Sequence, residues 1–430
     1  MGTQTVILPT NIDSSSRRGR QAKRFHEQAW AHQQKREWAE AIDCYDAAMD
    51  AHAGAIFASL ANRGMCYHML GQPNEALRDY DLAWRAGNPR ERELIRINRG
   101  VLLQAIGRYD FALADFESGN DDQSRLNAAY IHLARGNFEH GLVLYRSRPT
   151  VKQWRAPLHR LENLAGKRVL ILHEQGYGDS IQMARFVPQI AAVAKSVHWI
   201  TRRALEPMLA HNFPDVTLSY GDDVHAAAMI YKHDAFVMVM DLWQTCGLEI
   251  EGKPYLRAPF KFDDIWDRPI EGLSHARPNI GLAWRGRVDH ENNRARSAEF
   301  DRWRPALAAA SATYVSLQKD VRDDEREGLI DGGAPFDDFA GSAALLSCLD
   351  AVITVDTAVA HLAGALGIKT AILLPYAADW RWGTQGTTTP WYDSVRLFRQ
   401  PAFDAWEPVI HDALAWCVEA KSLPPHSPAA

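Results

Sequence analysis

The segment Leu349–Pro375, LDAVITVDTAVAHLAGALGIKTAILLP, constrains the fold of this chain more than any other segment. Ala351–Thr354 is a short apolar run with two β-branched residues in its centre, which is typical of a strand buried on both faces. A helical run of small residues, Ala358–Leu366, follows it, and Thr370–Leu374 is a second apolar strand. Strand, turn, helix and strand in this order predict a βαβ unit in a parallel sheet.

The start of the predicted helix is a candidate ligand site. Asp356 or Thr357 is suited to cap the helix, whose first N–H groups would face outward at the carboxyl end of the strand. α/β sheets bind phosphates at this position. The pattern equally allows an interpretation in which these residues only cap the helix and His361 packs in its first turn.

The composition indicates a globular protein with two or three domains. A chain of 430 residues is too long for one ordinary core, and 47% of it is hydrophobic. The net charge of −5 gives no reason to expect nucleic acid, and no apolar run reaches the ~18 residues of a membrane span. The five cysteines lie far apart, and neither a signal peptide nor a His/Cys metal cluster is evident. We therefore expect a cytoplasmic protein with no metal site.

A helical repeat extends from about residue 21 to residue 148. Four aligned positions, Ala41, Ala76, Ala112 and Gly141, recur at intervals of 35, 36 and 29 residues. Each precedes an aromatic residue by four positions and follows a small residue by twelve. This pattern resembles the tetratricopeptide repeat (TPR), a helix–turn–helix unit that stacks into a solenoid. The resemblance implies a surface for a peptide or protein partner, and a packing or dimerisation domain is the alternative.

Two α/β halves follow the repeats. The motif Gly176-Tyr-Gly178-Asp begins like a dinucleotide-binding fingerprint but has Ile181 in place of the third glycine, which argues against a nicotinamide or flavin site. Two halves joined by a linker predict a ligand cleft between facing strand ends. The predicted segments are a disordered lead-in (1–20), the repeats (21–148), a linker (149–165), the first half (166–260), a linker (261–278), the second half (279–400), a last helix (401–421) and a tail (422–430).

Several phrases within residues 165–420 together resemble glycosyltransferase family 9, the heptosyltransferase-like group of the GT-B fold. They are HEQGYGDSIQMARFVP (173–188), GLAWRG (281–286), YVSLQKD (314–320), LDAVITVDTAVAHLAGALG (349–367) and PYAADWRWGTQGTTTPWYDSVRLFRQ (375–400). The resemblance implies a TPR solenoid followed by a GT-B fold, in which two Rossmann-like domains face a cleft and the C-terminal helix crosses back. With its repeats, the chain is similar to bacterial transferases that glycosylate proteins, including flagellin-modifying ones.

On the donor side, the resemblance places the diphosphate of a nucleotide-sugar at the helix start, with His361 one turn along; this helix start is Asp356, Thr357, Ala358 and Val359. The family commonly has a glycine where Ala358 stands. Arg285 and Lys319 each follow a predicted strand of the second half and could neutralise the leaving diphosphate. A solvated Lys319 is the alternative.

Two further groups of residues could complete the donor side. Arg294 and Arg296, in a polar loop, could close over the phosphates. Four aromatic residues could stack on the nucleotide base or line the sugar pocket, and ordinary packing under the last helix is the alternative; they are Trp380, Trp382, Trp391 and Tyr392.

On the acceptor side, Gly178 and Asp179 match the Gly-Asp turn of the family, whose carboxylate is the proposed base. Glu174 is the reserve base. The alternative for Asp179 is a capping box with Gln182, in which the helix start stabilises the carboxylate as the anion and lowers its basicity.

The leading functional hypothesis is an inverting, metal-independent glycosyltransferase. It would move a sugar from a nucleotide-sugar to a Ser or Thr hydroxyl of a protein that the TPR region recruits, with no other cofactor. A first alternative is heptosyltransferase-type transfer to a glycan or lipopolysaccharide core. A second alternative is a non-catalytic TPR scaffold with a degenerate GT-B half.

Overall fold

The computed structural model describes residue 12 and residues 14–53, 56–221, 230–261, 272–286, 293–332 and 337–419. Its contacts divide the chain into two compact units. The helical unit contains residues 1–148 together with Asp379–Arg381, and the α/β unit contains the remainder from Pro149 onward. In the part of the chain that is described, no helix is long and apolar enough to cross a membrane.

The described part of the helical unit consists of four consecutive helix pairs, as the repeat predicts. Glycines in left-handed conformation, with φ of 74° to 80°, form the turns within the last three pairs; they are Gly71, Gly107 and Gly136. An L-residue with a side chain adopts this φ at a cost, which explains glycine at each turn. The helices are α1 Arg17–Gln34, α2 Trp38–Ala51, α3 Ile56–Met69, α4 Pro73–Ala86, α5 Pro89–Ala105, α6 Tyr109–Glu117, α7 Asp122–Ala134 and α8 Phe138–Tyr145.

The small and aromatic repeat positions meet in the core of each central pair. A Cβ at Gly64 would lie 3.0 Å from the ring of Tyr80, and a Cβ at Gly100 would lie 2.5 Å from the ring of Phe116. The two helices can therefore approach closely only because the residue twelve positions before the aligned alanine is small. The twelve-residue and four-residue spacings of the sequence thus describe one packing contact that is repeated along the solenoid.

An ion pair repeats in the same register. Arg63 of α3 donates two hydrogen bonds of 2.7 Å to Asp79 of α4, and Arg99 of α5 donates bonds of 2.9 and 2.6 Å to Asp115 of α6. Both aspartates are almost fully buried, and bidentate arginine pairs are the geometry in which such carboxylates are best satisfied. These pairs join the two helices within the second and third repeats.

The first sheet of the α/β unit is parallel, with the strand order β3-β2-β1-β4. Its strands are β1 Arg168–Leu172, β2 Ser196–Thr201, β3 Val216–Tyr220 and β4 Ala235–Met238. The helices of this half are α9 Pro149–Trp154, α10 Tyr177–Met183, α11 Val187–Val193, α12 Glu206–Asn212 and α13 Leu242–Thr245.

The second sheet is also parallel, with the strand order β10-β9-β8-β5-β6-β7. Its strands are β5 Asn279–Ala283, β6 Thr313–Ser316, β7 Leu329–Asp331, β8 Ala351–Val355, β9 Thr370–Leu374 and β10 Val395–Arg399. Its helices are α14 Asn293–Arg296, α15 Arg304–Ala309, α16 Phe339–Leu346, α17 Ala358–Leu366 and α18 Trp406–Val418. The predicted βαβ unit is β8, α17 and β9, and every residue of both strands is buried.

Both sheets contain a point at which the strand order reverses. In the first sheet β1 lies between β2 and β4, and in the second sheet β5 lies between β6 and β8. Ligands of open α/β sheets bind beyond the carboxyl ends of the strands at such points. Helix α10 follows β1, and helix α17 follows β8. The turns that lead into these two helices therefore leave the sheets at the reversal points.

The last described helix, α18, packs on the second sheet. Its apolar face, which includes Val409, Ile410 and Ala413, joins the core formed by Ile280 and Ile353. Burial of this apolar face accounts for its packing on the sheet. The crossing of this helix back to the first half, which the resemblance implies, stays a prediction.

Candidate functional site

The starts of α10 and α17 lie against each other within the α/β unit. A Cβ at Gly178 of α10 would lie 2.6 Å from Cδ2 of His361 and 3.5 Å from Cα of Ala358. The first of these distances is far inside van der Waals contact, so only glycine fits at position 178. The turn after β1 and the helix start after β8, one from each half, therefore form one site.

Thr357 is the cap of α17. Its backbone is extended, with φ of −139°, and its Oγ1 accepts a hydrogen bond of 3.3 Å from the N–H of Val359. Thr354, at the end of β8, lies 3.0 Å from the same hydroxyl. Asp356 does not cap the helix through its side chain; instead its carbonyl accepts a hydrogen bond of 3.2 Å from Nη1 of Arg296. The sequence allowed either residue as the cap, and the structure selects Thr357.

His361 is buried and held on two sides. Its Nδ1 lies 2.9 Å from the hydroxyl of Tyr392, and its ring stacks on Trp382 with centroids 5.3 Å apart and planes inclined by 23°. Its Cδ2 edge faces Gly178. The imidazole therefore has a fixed orientation at the contact between the two helix starts. Its place beside the donor diphosphate stays a prediction.

Arg185 is a cation near this site that the sequence analysis did not identify. Its guanidinium lies 4.4 Å from the ring centroid of Tyr255, 5.5 Å from that of Trp391 and 4.9 Å from that of Tyr392. Burial, and then the neighbouring Tyr255, raise the pKa of Tyr392 well above its ordinary value, while Arg185 opposes the shift. Tyr392 therefore remains a neutral hydroxyl beside His361. The arginine stands in the phrase HEQGYGDSIQMARFVP, which was the available signal.

Asp179 occupies the third position of α10 and is half-buried. Its Oδ2 accepts a hydrogen bond of 2.8 Å from the N–H of Gly176. This is the carboxylate half of a capping box, and a helix start stabilises such a carboxylate as the anion. Asp179 thus has a capping role, but as the third residue of α10 with Gly176 as the N-cap, and not as the N-cap paired with Gln182 that the sequence suggested. Its role as a base stays a prediction. Gln175, in the same turn, has a left-handed φ of 61°, which is uncommon for a residue with a side chain.

Glu174, the reserve base, is only 3% exposed. One of its oxygens accepts a hydrogen bond of 3.2 Å from the N–H of Met240, and the other accepts from the hydroxyl of Thr150. The carboxylate thus joins α9, the end of β1 and the turn after β4. Its contacts suit a structural role at the base of the site.

The two cations predicted to meet the diphosphate differ in their surroundings. Arg285 donates to Glu325 and to Asp320, and its side chain is 11% exposed. Burial opposes ionisation of Glu325, but Arg285 and the backbone N–H of Arg322 keep its pKa below the ordinary value. Lys319 is exposed, and no hydrogen bond or ion pair joins it to a residue that the structure describes.

Arg296 is the arginine that reaches the start of α17. Besides its bond to the carbonyl of Asp356, it covers Gly286, where a Cβ would lie 2.5 Å from Nη2 of the arginine. The glycine after β5 thus makes room for this guanidinium. The side chain of Arg294, which we considered with it, lies outside the described residues.

Trp380 belongs to the helical unit, where its ring centroid lies 6.1 Å from that of Tyr145. Its role at the donor stays a prediction. Trp382 is the tryptophan at the histidine, and Trp391 is buried against Trp243, with ring centroids 5.0 Å apart. These ring contacts are packing contacts, and a role of the group at the nucleotide base or the sugar stays a prediction.

Parts of the chain are similar to known proteins. No protein-family model matches the chain. Protein FlbA of Caulobacter vibrioides is 27% identical over an alignment of 381 residues, and the match covers 81% of this chain and 59% of FlbA. The chain thus spans less than two thirds of the length of this relative.

Two solved structures are similar to different parts of the chain. A glycosyltransferase family 9 protein from Veillonella parvula is 12% identical, with 55% of this chain and 86% of that one covered and a TM-score of 0.41. A TPR protein from Parabacteroides merdae is 20% identical, with 33% and 55% covered and a TM-score of 0.28. The helix pairs and the two parallel sheets give the chain the architecture of TPR-like helical repeats joined to an α/β region.

Proposed function

We propose that this chain is a glycosyltransferase that moves a sugar from a nucleotide-sugar to a protein acceptor. The observation that carries the proposal is the contact of Gly178 with Ala358 and His361. It brings the Gly-Asp turn of the first half next to a helix start at a reversal point of the second sheet. A base and a diphosphate-binding element must be neighbours in such an enzyme, because proton removal and departure of the leaving group occur at one sugar carbon.

The donor diphosphate would bind at the start of α17. The first N–H groups of a helix lack partners within it, and the helix dipole adds partial positive charge there. Thr357 would orient these groups, Ala358 and Val359 would contribute amides, and Arg296 would supply a full positive charge. Lys319 is a second candidate, since it is exposed and unengaged by described residues. Arg285 is a weaker candidate because Glu325 and Asp320 already hold it.

The reaction would be a direct displacement. Asp179 would accept the proton of the acceptor hydroxyl, whose oxygen would form a bond to the anomeric carbon as the bond from that carbon to the diphosphate breaks. The nucleoside diphosphate would leave with the electron pair, and the configuration of the anomeric carbon would invert. The helix amides and Arg296 would stabilise the charge that develops on the leaving group.

The acceptor would be a protein that the helical unit recruits, modified at a Ser or Thr hydroxyl. Solenoids of this kind present extended surfaces, which suit a polypeptide better than a small glycan. Transfer to a glycan or lipopolysaccharide core is the alternative within the same chemistry, and a non-catalytic scaffold is the alternative outside it.

Two measurements separate these hypotheses. Thermal unfolding of the full chain with UDP-, GDP-, ADP- and CMP-linked sugars should identify one nucleotide class, because a ligand at 100 times its Kd adds about 2.7 kcal/mol of stability. Labelled sugar of that class should then enter protein and not lipopolysaccharide. Label in lipopolysaccharide would favour the first alternative. Donor binding with no transfer to either fraction, or no donor binding at all, would favour the scaffold.

A further inference from the structure

Three side chains of metal-ligating type meet at the end of the solenoid. Glu117 is the last residue of α6, His132 lies in α7 and His140 lies in α8. One carboxylate oxygen and one nitrogen from each imidazole all lie within 4.8 Å of one another. Among the residues that the structure describes, this is the one group of His, Cys, Asp or Glu side chains with that geometry.

The cluster differs from an ordinary surface ion pair. His132 Nε2 lies 3.0 Å from Glu117 Oε1, which by itself would be a simple hydrogen bond. The ring of His140, however, stands edge-on to that of His132, with centroids 4.6 Å apart and planes at 86°. No hydrogen bond or ion pair joins His140 to a described residue. The imidazole of His140 thus lies beside an existing His–carboxylate pair and has no polar partner among the described residues.

We propose that Glu117, His132 and His140 bind a first-row divalent cation, for which Zn²⁺ is the representative probe. Two imidazoles and a carboxylate are a common ligand set for this ion, and water would occupy the fourth position. Tetrahedral bonds of 2.0–2.1 Å place ligand atoms about 3.3 Å apart. The three ligand atoms lie within 4.8 Å of one another, so the longest of their mutual distances must shorten by about 1.5 Å at most. The side chain of Glu117 is 53% exposed and can make this adjustment, while that of His132 is 15% exposed and fixed by its helix.

The position of the cluster gives the ion a structural role. Its ligands come from three helices, so a bound ion links the third helix pair to the fourth. The repeat interval shortens from 36 to 29 residues at this junction. An ion that binds the folded helices and not the unfolded chain raises the stability of this end of the solenoid by mass action.

The test uses the full chain after removal of metal with a chelator. Titration calorimetry with Zn²⁺ should give one site, and Co²⁺ should give the visible absorption of a four-coordinate ion. His140→Gln and His132→Gln should each weaken Zn²⁺ binding at least about tenfold and abolish the Co²⁺ absorption. Circular dichroism of both variants verifies that the helices remain folded, since His140 is exposed and His132 half-buried.

His32 provides the matched control. Its Nδ1 lies 2.6 Å from Oε2 of Glu37, so it forms the same kind of His–carboxylate pair without a second histidine. His32→Gln should leave Zn²⁺ affinity and Co²⁺ absorption unchanged. The proposal is overturned if the full chain binds no Zn²⁺, or if His140→Gln binds it as tightly as the unchanged chain does. Either result would reduce the cluster to an exposed ion pair with a neighbouring ring.

Discussion

Gly178 approaches His361 so closely that a Cβ at position 178 would lie 2.6 Å from the imidazole Cδ2. The ring has no room to retreat, because Tyr392 binds its Nδ1 and Trp382 stacks on its face. The turn of the first half and the helix start of the second half are therefore mechanically coupled. A displacement of one must move the other, and the proposed base and diphosphate site share this contact.

Gly178→Ala should lower the free energy of unfolding by about 1–3 kcal/mol, the usual cost of overpacking a fixed site. The added methyl group must displace the ring of His361 or separate the two helix starts. Denaturant unfolding of the variant and of the double variant Gly178→Ala/His361→Ala measures this coupling. In the His361→Ala background the alanine at position 178 should cost much less. An equal cost in both backgrounds would show that the contact is not its source.

Asp179→Asn should lower sugar transfer by about 10²-fold or more if the carboxylate is the base. The asparagine oxygen can still accept the N–H of Gly176, so the cap bond that Asp179 makes is retained. The loss would therefore report on proton transfer and not on folding of α10. The measurement is the rate of labelled sugar incorporation at saturating donor.

The matched control is Asp338→Asn. Asp338 caps α16 by accepting a hydrogen bond of 2.9 Å from the N–H of Gly341, and it has no part in the proposed reaction. This variant should transfer sugar at the normal rate. Normal transfer by Asp179→Asn as well would leave Asp179 with the capping role alone.

Arg296→Gln should weaken binding of the nucleotide-sugar by about tenfold or more, because a hydrogen bond to a charged group contributes about 1.5–3 kcal/mol. Its effect on thermal stability without donor should be small, since the visible bond is to one carbonyl, that of Asp356. Calorimetric titration with the responding donor measures the change. Unaltered affinity would remove Arg296 from the diphosphate site.

Arg285→Gln should act in the opposite way. Arg285 neutralises Glu325, whose side chain is 3% exposed, together with Arg322, which lies 3.1 Å from the same carboxylate. Removal of one of these two cations should cost less than a buried charge left unpaired, which costs about 3–5 kcal/mol. We therefore expect a lower unfolding temperature with little change in donor affinity for the fraction that remains folded. A large loss of affinity at normal stability would restore Arg285 as a diphosphate ligand.

The features that were predictable from the sequence depend on contacts between residues near one another in the chain. The repeat spacing predicts the packing of Gly64 on Tyr80 because both belong to one helix pair. The βαβ unit likewise follows from short-range pattern and propensity, which narrow the cap of its helix to Asp356 or Thr357 without choosing between them.

The features that were missed depend on contacts between distant residues. The pairing of Arg285 with Glu325, and the reach of Arg296 to Asp356, span 40 and 60 positions. A sequence shows which cationic residues follow strands. It does not show which of these residues are already neutralised by an acidic neighbour in the fold. The same limit applies to the aromatic group: the sequence named four rings together, and the structure shows that Trp382 is one that stacks on His361.

The pH dependence of the helical unit should reveal one buried histidine. His26 is fully buried, with Nδ1 3.2 Å from the hydroxyl of Ser59, and burial lowers its pKa from 6.5 to about 4. Between these values the unfolded chain binds more protons than the folded one, so stability falls as the pH decreases from about 6.5 to about 4. Over this pH range, His26 lowers the free energy of unfolding by about 3 kcal/mol in total. Burial lowers the pKa of His68 to about 4 as well, which adds to the same decrease in stability.

His26→Gln should make this decline shallower, because glutamine does not titrate. Hydrogen exchange of the α1 and α3 amides across this pH range, corrected for the intrinsic exchange rate, measures the local stability of the unit. If His26→Gln retains the slope of the unchanged chain, acid destabilisation of the helical unit arises from other groups, because protonation of a buried His26 must change this slope.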